Sequence, residues 1–130
     1  MASFMTRYDG ETYAVMRIMT GLLFLFHGAQ KLFAFPVEMG RDAPAFIIYL
    51  AGPIELVGGI LIAIGLLTRW AAFICSGLMA AAYWMAHGTQ ALWPIVNQGE
   101  LAVLYCFVFL FISANGGGKW SADAARGAAS

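Results

Sequence analysis

Residues 45–67 form an uninterrupted apolar run of 23 residues in which Glu55 is the one charged side chain. A helix of about 20 apolar residues is long enough to cross the hydrocarbon layer of a bilayer. An ionised carboxylate near the middle of such a helix is costly, so it usually has a partner or a function. The run therefore predicts a membrane helix that carries a polar group inside the membrane.

The composition extends this prediction to the whole chain. The 130 residues are 62% hydrophobic and 11% charged, with a mean hydropathy of +0.77. A soluble domain of this size could not cover so much apolar surface, so we expect the lipid bilayer to be its principal partner. Seven basic and seven acidic residues cancel. This balance argues against nucleic acid as a partner, because nucleic acid requires a concentrated basic patch.

Four apolar segments can be distinguished, and each is close to the length of a transmembrane helix. They cover about residues 13–33, 45–67, 70–87 and 99–114, and residues 115–130 remain as a tail. We predict a single all-α domain over residues 1–130, an integral membrane four-helix bundle. The first segment is interpreted as a retained helix, because no A-x-A-like signal-peptidase site follows it.

Polar residues and glycines between the segments predict how the helices begin and end. Thr68 is a favourable N-cap for the third helix. Asn97 and Glu100 have the spacing of a capping box at the start of the fourth helix. The three glycines of residues 116–118 are expected to end that helix.

The antiparallel order of the segments assigns each connection to one of two sides. Side A holds both termini and the turn at Thr68, and side B holds the loops at about residues 34–44 and 88–96. The basic residues favour side A, which has Arg7, Arg17, Arg69, Lys119 and Arg126 against Lys31 and Arg41 on side B. The positive-inside rule then predicts that side A and both termini are cytoplasmic.

Most polar residues in or near the apolar segments fall in the side B half of the predicted bundle. They are His27, Lys31, Glu55, His87, Asn97 and Glu100, and Arg17 lies toward side A. Glu55 shares a helix face with small residues, which allow helices to approach closely. We therefore expect Glu55 to point into the bundle and not at lipid.

Two interpretations of this polar group remain open. In one, Glu55 pairs with His27 or Lys31, Glu100 pairs with His87, and the pairs only lock the helices together. In the other, the residues line a pocket for a quinone head group, where His27 or Lys31 binds a carbonyl and Glu55 relays a proton.

The candidate binding residues are His27, Lys31, Glu55, His87, Asn97, Glu100 and Arg17, although Arg17 can also be interpreted as a positive-inside anchor. A metal site is chemically allowed, but no spacing selects for one, so we predict none.

The two cysteines do not predict a redox centre. Cys75 and Cys106 lie in different apolar segments, without a CxxC pair or a zinc-binding spacing. We interpret them as buried thiols that act as small hydrophobic side chains. The chain has no haem, flavin or iron–sulfur signature, so a redox role would require electrons from a partner protein or a small substrate.

Three motifs in order resemble the DoxX family. They are MRIMTGLLFLFHGAQKLF, PIELVGGILIAIGLLTRWAA and NQGELAVLYCFVFLFISANGGGKWSAD, which together extend over residues 16–123. The resemblance implies a four-helix protein of the bacterial inner membrane. It maps the family's recurrent polar positions onto Arg17, His27, Gly28, Lys31, Glu55, Gly59, Thr68, Asn97, Glu100, Ser121 and Asp123.

The resemblance also suggests a function. The family name comes from a subunit of a thiosulfate:quinone oxidoreductase, and other members are linked to thiol redox homeostasis and quinone-related stress. We predict a quinone-linked redox membrane subunit that acts with a redox partner protein or as a homo-oligomer. The alternatives are a proton-coupled transporter of small solutes and a non-catalytic membrane scaffold or assembly factor.

Overall fold

The computed structural model describes residues 4–40 and 43–127, which are helical and contain no strand. Helix α1 is Asp9–Phe33, and α2 is Gly52–Ile64, which continues a π-helical turn at Ile47–Ala51. Helix α3 is Thr68–Tyr83 and runs into a π-helical turn at Trp84–Gly88. The short α4 is Pro94–Asn97, α5 is Glu100–Asn115 and the short α6 is Ala122–Ala125.

Within residues 4–40 and 43–127, two helical stretches are long and apolar enough to cross a membrane, namely Thr6–Phe33 and Ile47–Ile64. The 16 residues of α5 are also apolar, but they form a shorter helix. The four long helices therefore lie close to the four segments that the sequence predicts, with α4 and α6 added in the connections.

Helices α1 and α2 pack with their backbones almost in contact because glycines line the seam. A Cβ atom on Gly28 would collide with the backbone of Leu56, and one on Gly59 would collide with the backbone of Leu25. Gly21 has the same relation to the backbone of Ala63. Small residues allow this approach, which brings the last turn of α1 close to the first turn of α2.

Aromatic side chains fill the space between α1 and α5. Phe24 and Phe109 are fully buried, with ring centroids 4.6 Å apart in an edge-to-face arrangement. Tyr105 stacks on Phe109 at a centroid distance of 5.5 Å. These large rings separate α1 from α5 in the bundle core, in contrast to the glycine seam between α1 and α2.

The start of α3 differs from the prediction. Leu67, and not Thr68, is the N-cap, and Thr68 is the first residue of the helix. The cap comes from the tail: the Asp123 carboxylate accepts hydrogen bonds from the Leu67 and Thr68 N–H groups at 2.9 Å, and from the Thr68 hydroxyl at 2.8 Å. Burial opposes ionisation of Asp123, but these hydrogen bonds outweigh it and lower the pKa of the carboxyl.

The predicted capping box at α5 is also wrong. Gly99 is the N-cap, and Glu100 is the first residue of the helix. The Asn97 side-chain oxygen accepts a hydrogen bond from the Gly99 N–H at 2.8 Å, which closes a local turn before the helix begins. The other end follows the prediction, because α5 stops at Gly116, which has a φ of +83°.

Candidate functional site

Glu55 forms a buried ion pair with Lys31. The Lys31 Nζ donates to Glu55 Oε2 at 2.7 Å, and the two side chains are 16% and 4% exposed. Lys31 is in the last turn of α1 and Glu55 is in the first turn of α2. Of the two partners that the sequence left open for Glu55, the structure selects Lys31, and the pair joins α1 to α2 beside the glycine seam.

His27 lies one helical turn before Lys31, but it does not bond to Glu55. It is half-buried, and its ring meets the Tyr105 ring edge-on, with centroids 5.9 Å apart and an interplanar angle of 88°. Neither imidazole nitrogen forms a hydrogen bond with a side chain or carbonyl among residues 4–40 and 43–127. A hydrogen bond stabilises an imidazole in apolar surroundings, so the His27 ring can form one with a bound ligand.

A groove between α1 and α5 opens over His27. Its volume is about 360 Å³, which falls in the range of about 300–1,000 Å³ that is typical of small-molecule sites. The groove is lined by Leu23, Phe26, His27, Gln30, Pro36, Leu101 and Tyr105. The lining is mostly apolar, with an imidazole, an amide and a phenol as its polar groups. This combination suits a flat ligand with polar atoms at its edge.

Two of the polar groups in this groove, Gln30 and Tyr105, are not among the candidate residues predicted from the sequence. Gln30 could have been found, because it is a polar residue in an apolar helix, three positions after His27 and therefore on the same face. Tyr105 carried no such signal. Its position depends on how α5 packs against α1, and only the assembled bundle shows that.

His87 and Asn97 lie in a separate cluster that shapes the connection between α3 and α5. His87 Nδ1 is 2.9 Å from the Asn97 carbonyl oxygen. The Asn97 amide donates to the Tyr83 hydroxyl and to the Ala91 carbonyl, both at 3.0 Å. His87 thus bonds to Asn97 and not to Glu100, which is exposed at the first turn of α5. These contacts hold a loop in place and do not line the groove.

Arg17 is fully buried at the opposite end of α1. Its guanidinium donates to the Ile62 and Ala63 carbonyls at 2.7 Å and to the Gly117 carbonyl at 2.8 Å. It also donates to the carbonyls of Trp120 at 2.9 Å and Lys119 at 3.2 Å. A positive-inside anchor would expose its guanidinium to lipid head groups, whereas Arg17 is 0% exposed and is bound by carbonyls of the protein.

The position of Arg17 also separates it from the other candidate residues. Fourteen residues along α1 place it about 21 Å from Lys31 along the helix axis, at 1.5 Å per residue. Its carbonyl partners belong to the end of α2 and to the tail, so Arg17 fastens the tail to the bundle.

The cysteines lie apart from the groove. Cys75 is fully buried against Gly58, and the Cys106 carbonyl accepts a hydrogen bond from the Ser76 hydroxyl at 2.8 Å. In the part of the chain that the structure describes, no three His, Cys, Asp or Glu side chains converge as metal ligands.

Comparison with known proteins identifies relatives over most of the chain. The DoxX family model matches residues 12–88. An uncharacterized protein of Haemophilus influenzae is 39% identical over 123 residues, which cover 90% of this chain and 92% of the relative. An uncharacterized membrane protein of Mycobacterium tuberculosis is 31% identical over 128 residues, covering 83% of this chain and 77% of the relative.

A third relative carries a functional name. CatD of Bacillus subtilis, which is named as a candidate oxidoreductase, is 36% identical over 59 residues, covering 42% of this chain and 44% of CatD. No solved structure matches the chain significantly.

Proposed function

This membrane protein belongs to the DoxX family, and we propose that it is a quinone-linked redox membrane subunit that binds the quinone ring in the groove between α1 and α5. One observation carries the proposal. His27 faces a mostly apolar groove with no hydrogen-bond partner among the described residues, while the other buried polar candidates already have one.

The groove can hold a quinone through its own side chains. A bound quinone would supply a carrier for two electrons and two protons. The imidazole N–H of His27 would donate a hydrogen bond to one quinone carbonyl, and the Gln30 amide, which lies on the same helix face and also lines the groove, would donate to the same edge. Phe26, Leu101 and Tyr105 provide apolar and aromatic surface against which the ring packs.

In this proposal the Lys31–Glu55 pair supports the groove and supplies protons to it. The pair does not line the groove, so Glu55 does not contact the ring. Lys31 follows His27 by four residues, which places both side chains on neighbouring turns of one helix face. We propose that Glu55 and Lys31 pass a proton from side B toward His27 when the quinone is reduced.

The membrane arrangement is part of the same proposal. We place all four long helices across a bacterial inner membrane, with side A and both termini in the cytoplasm. The excess of Arg and Lys on side A supports this orientation. Electrons come from a partner protein or from a small reduced donor, and the name of CatD agrees with a redox role.

Quinone binding tests the proposal directly. The protein is reconstituted in lipid nanodiscs and titrated with decylubiquinone and with a short-chain menaquinone, and saturable binding is measured by quenching of tryptophan fluorescence. The variant His27→Leu keeps the apolar volume and removes the hydrogen bond. Because one hydrogen bond contributes about 0.5–1.5 kcal/mol, we expect the affinity to fall about two- to tenfold.

A matched control comes from the same helix. Thr20→Val also removes a polar group from α1, but the Thr20 hydroxyl bonds to the Met16 carbonyl and does not line the groove. This variant should bind both quinones like the wild type. Absence of saturable binding by the wild type, or equal binding by His27→Leu, would exclude this quinone site and favour a scaffold.

A further inference from the structure

The connection between α3 and α5, residues 84–99, exposes a group of large apolar side chains. Leu92, Trp93, Ile95 and Val96 are 64–77% exposed, and Trp84 and Met85 are exposed beside them. A contiguous group of exposed apolar side chains is unusual on a surface that faces water, and it marks a contact with a membrane or with another protein. This connection therefore needs an apolar environment on its outer surface.

Charge is absent from this whole part of the sequence. Between Arg69 and Glu100, residues 70–99 contain no Asp, Glu, Lys or Arg. By contrast, the connection between α1 and α2 contains Glu38, which is exposed. The α1–α2 connection also exposes apolar Phe35 and Val37, so the two side B connections differ in the ionised side chain, which residues 84–99 lack. The connection at residues 84–99 is therefore compatible with lipid.

The same connection satisfies many of its own backbone groups. The Val96 and Asn97 N–H groups donate to the Trp93 carbonyl at 2.9 and 3.0 Å. The Asn97 side chain bonds to the Ala91 carbonyl and to the Gly99 N–H, and it is only 4% exposed. Backbone that meets lipid must find its hydrogen bonds within the protein, whereas a loop in water does not need to.

From these three observations we propose that residues 84–99 form an interfacial element that inserts Leu92, Trp93 and Ile95 into the acyl edge of the side B leaflet. Glu100 limits the depth, because its exposed carboxylate needs water or lipid head groups. The element therefore lies at the boundary between head groups and acyl chains, where tryptophan is enriched. The buried Asn97 holds it in that shape. This inference rests on the membrane arrangement proposed above, but it does not depend on quinone binding.

The depth of Trp93 can be measured by fluorescence in vesicles. The variant with Trp93 as its only tryptophan (W70F, W84F and W120F) is reconstituted in phosphatidylcholine vesicles that contain lipids brominated at different acyl positions. We expect a blue-shifted emission and the strongest quenching by lipids brominated near the carbonyl end of the chain. Iodide in the aqueous phase should quench Trp93 several-fold less than it quenches free tryptophan.

Each other outcome overturns the proposal. Efficient iodide quenching without quenching by brominated lipids would place the connection in water. Protection from both quenchers would mean that protein, a second copy of this chain included, covers Trp93.

A second experiment tests the proposal without the three tryptophan substitutions, which could themselves prevent folding. In a background in which Cys75 and Cys106 are replaced by alanine, Ile95→Cys is labelled with an environment-sensitive nitrobenzoxadiazole dye. Glu38→Cys in the same background is the matched control on the other side B connection. The dye at position 95 should report an apolar environment, and the dye at position 38 should report water. Equal emission from the two positions would contradict the proposal.

Discussion

Variants of the Lys31–Glu55 pair test whether burial, and not only the distance between the charges, determines how much an ion pair contributes to stability. At 2.7 Å and an effective dielectric constant of about 20, the Coulomb attraction alone is about 6 kcal/mol, although desolvation of both groups offsets most of it. Lys31→Met leaves the Glu55 carboxylate buried without its partner. We expect this variant to lose about 3–5 kcal/mol of unfolding free energy.

Two more variants, Glu55→Gln and the double variant Lys31→Met/Glu55→Gln, complete a double-mutant cycle. Glu55→Gln should cost less than Lys31→Met, because Lys31 is the more exposed partner and lies in the last turn of α1. The double variant Lys31→Met/Glu55→Gln leaves no unpaired buried charge, so it should recover most of the stability lost in Lys31→Met. The assay is reversible unfolding in mixed micelles, with SDS as the denaturant.

The chain contains its own control for this cycle. Lys119 and Glu11 form an ion pair of almost the same length, 2.8 Å, but the side chains are 56% and 34% exposed. Because water screens this pair, Lys119→Met should unfold like the wild type. Equal stability of Lys31→Met and Lys119→Met, or a double variant no more stable than Lys31→Met, would refute the reasoning.

Three further variants test the packing of α1 against α2 and the Asp123 cap on side A. Gly28→Ala introduces a Cβ that collides with the α2 backbone, so it should lower the free energy of unfolding by about 1–3 kcal/mol. Gly77→Ala in α3 is the control, because its Cβ meets open space and should be neutral or stabilising. Comparable unfolding midpoints for the two variants would contradict the close packing of α1 against α2. The pKa of the Asp123 carboxyl is lower in the folded protein than in the unfolded chain, so its contribution to stability is present above the unfolded pKa and is lost as the pH falls through the folded value. The difference in unfolding free energy between the wild type and Asp123→Asn should therefore be constant near neutral pH and shrink below about pH 4; a difference that stays constant in acid would exclude the ionised cap.

Local sequence patterns predicted the long helices and the direction of Glu55. Apolar runs bounded by polar residues and glycines define the helices, and the small residues beside Glu55 indicate the face that packs against α1. The sequence narrowed the partner of Glu55 to His27 or Lys31 but did not decide between the two. The choice depends on the exact register between α1 and α2, which the glycine contacts set.

Contacts made by the tail could not be predicted in this way. Asp123 caps a helix that begins 55 residues earlier in the chain, and Arg17 bonds to carbonyls up to 103 residues away. No local spacing indicates such partners. From the sequence, Arg17 could therefore be interpreted as a positive-inside anchor, and Thr68 was predicted to be the N-cap of its helix. The groove could not be predicted either, because Tyr105 contacts His27 only once α5 has packed against α1.

The most direct test of the central claim is to locate a bound quinone on the protein. The reconstituted protein is illuminated with an azidoquinone, and the labelled peptides are identified by mass spectrometry with and without excess decylubiquinone. We predict displaceable labelling of the groove residues of α1 and α5, around His27 and Tyr105, and a marked loss of this labelling in His27→Leu. Labelling that excess quinone does not displace, or that falls on other segments and is unchanged in His27→Leu, would contradict it.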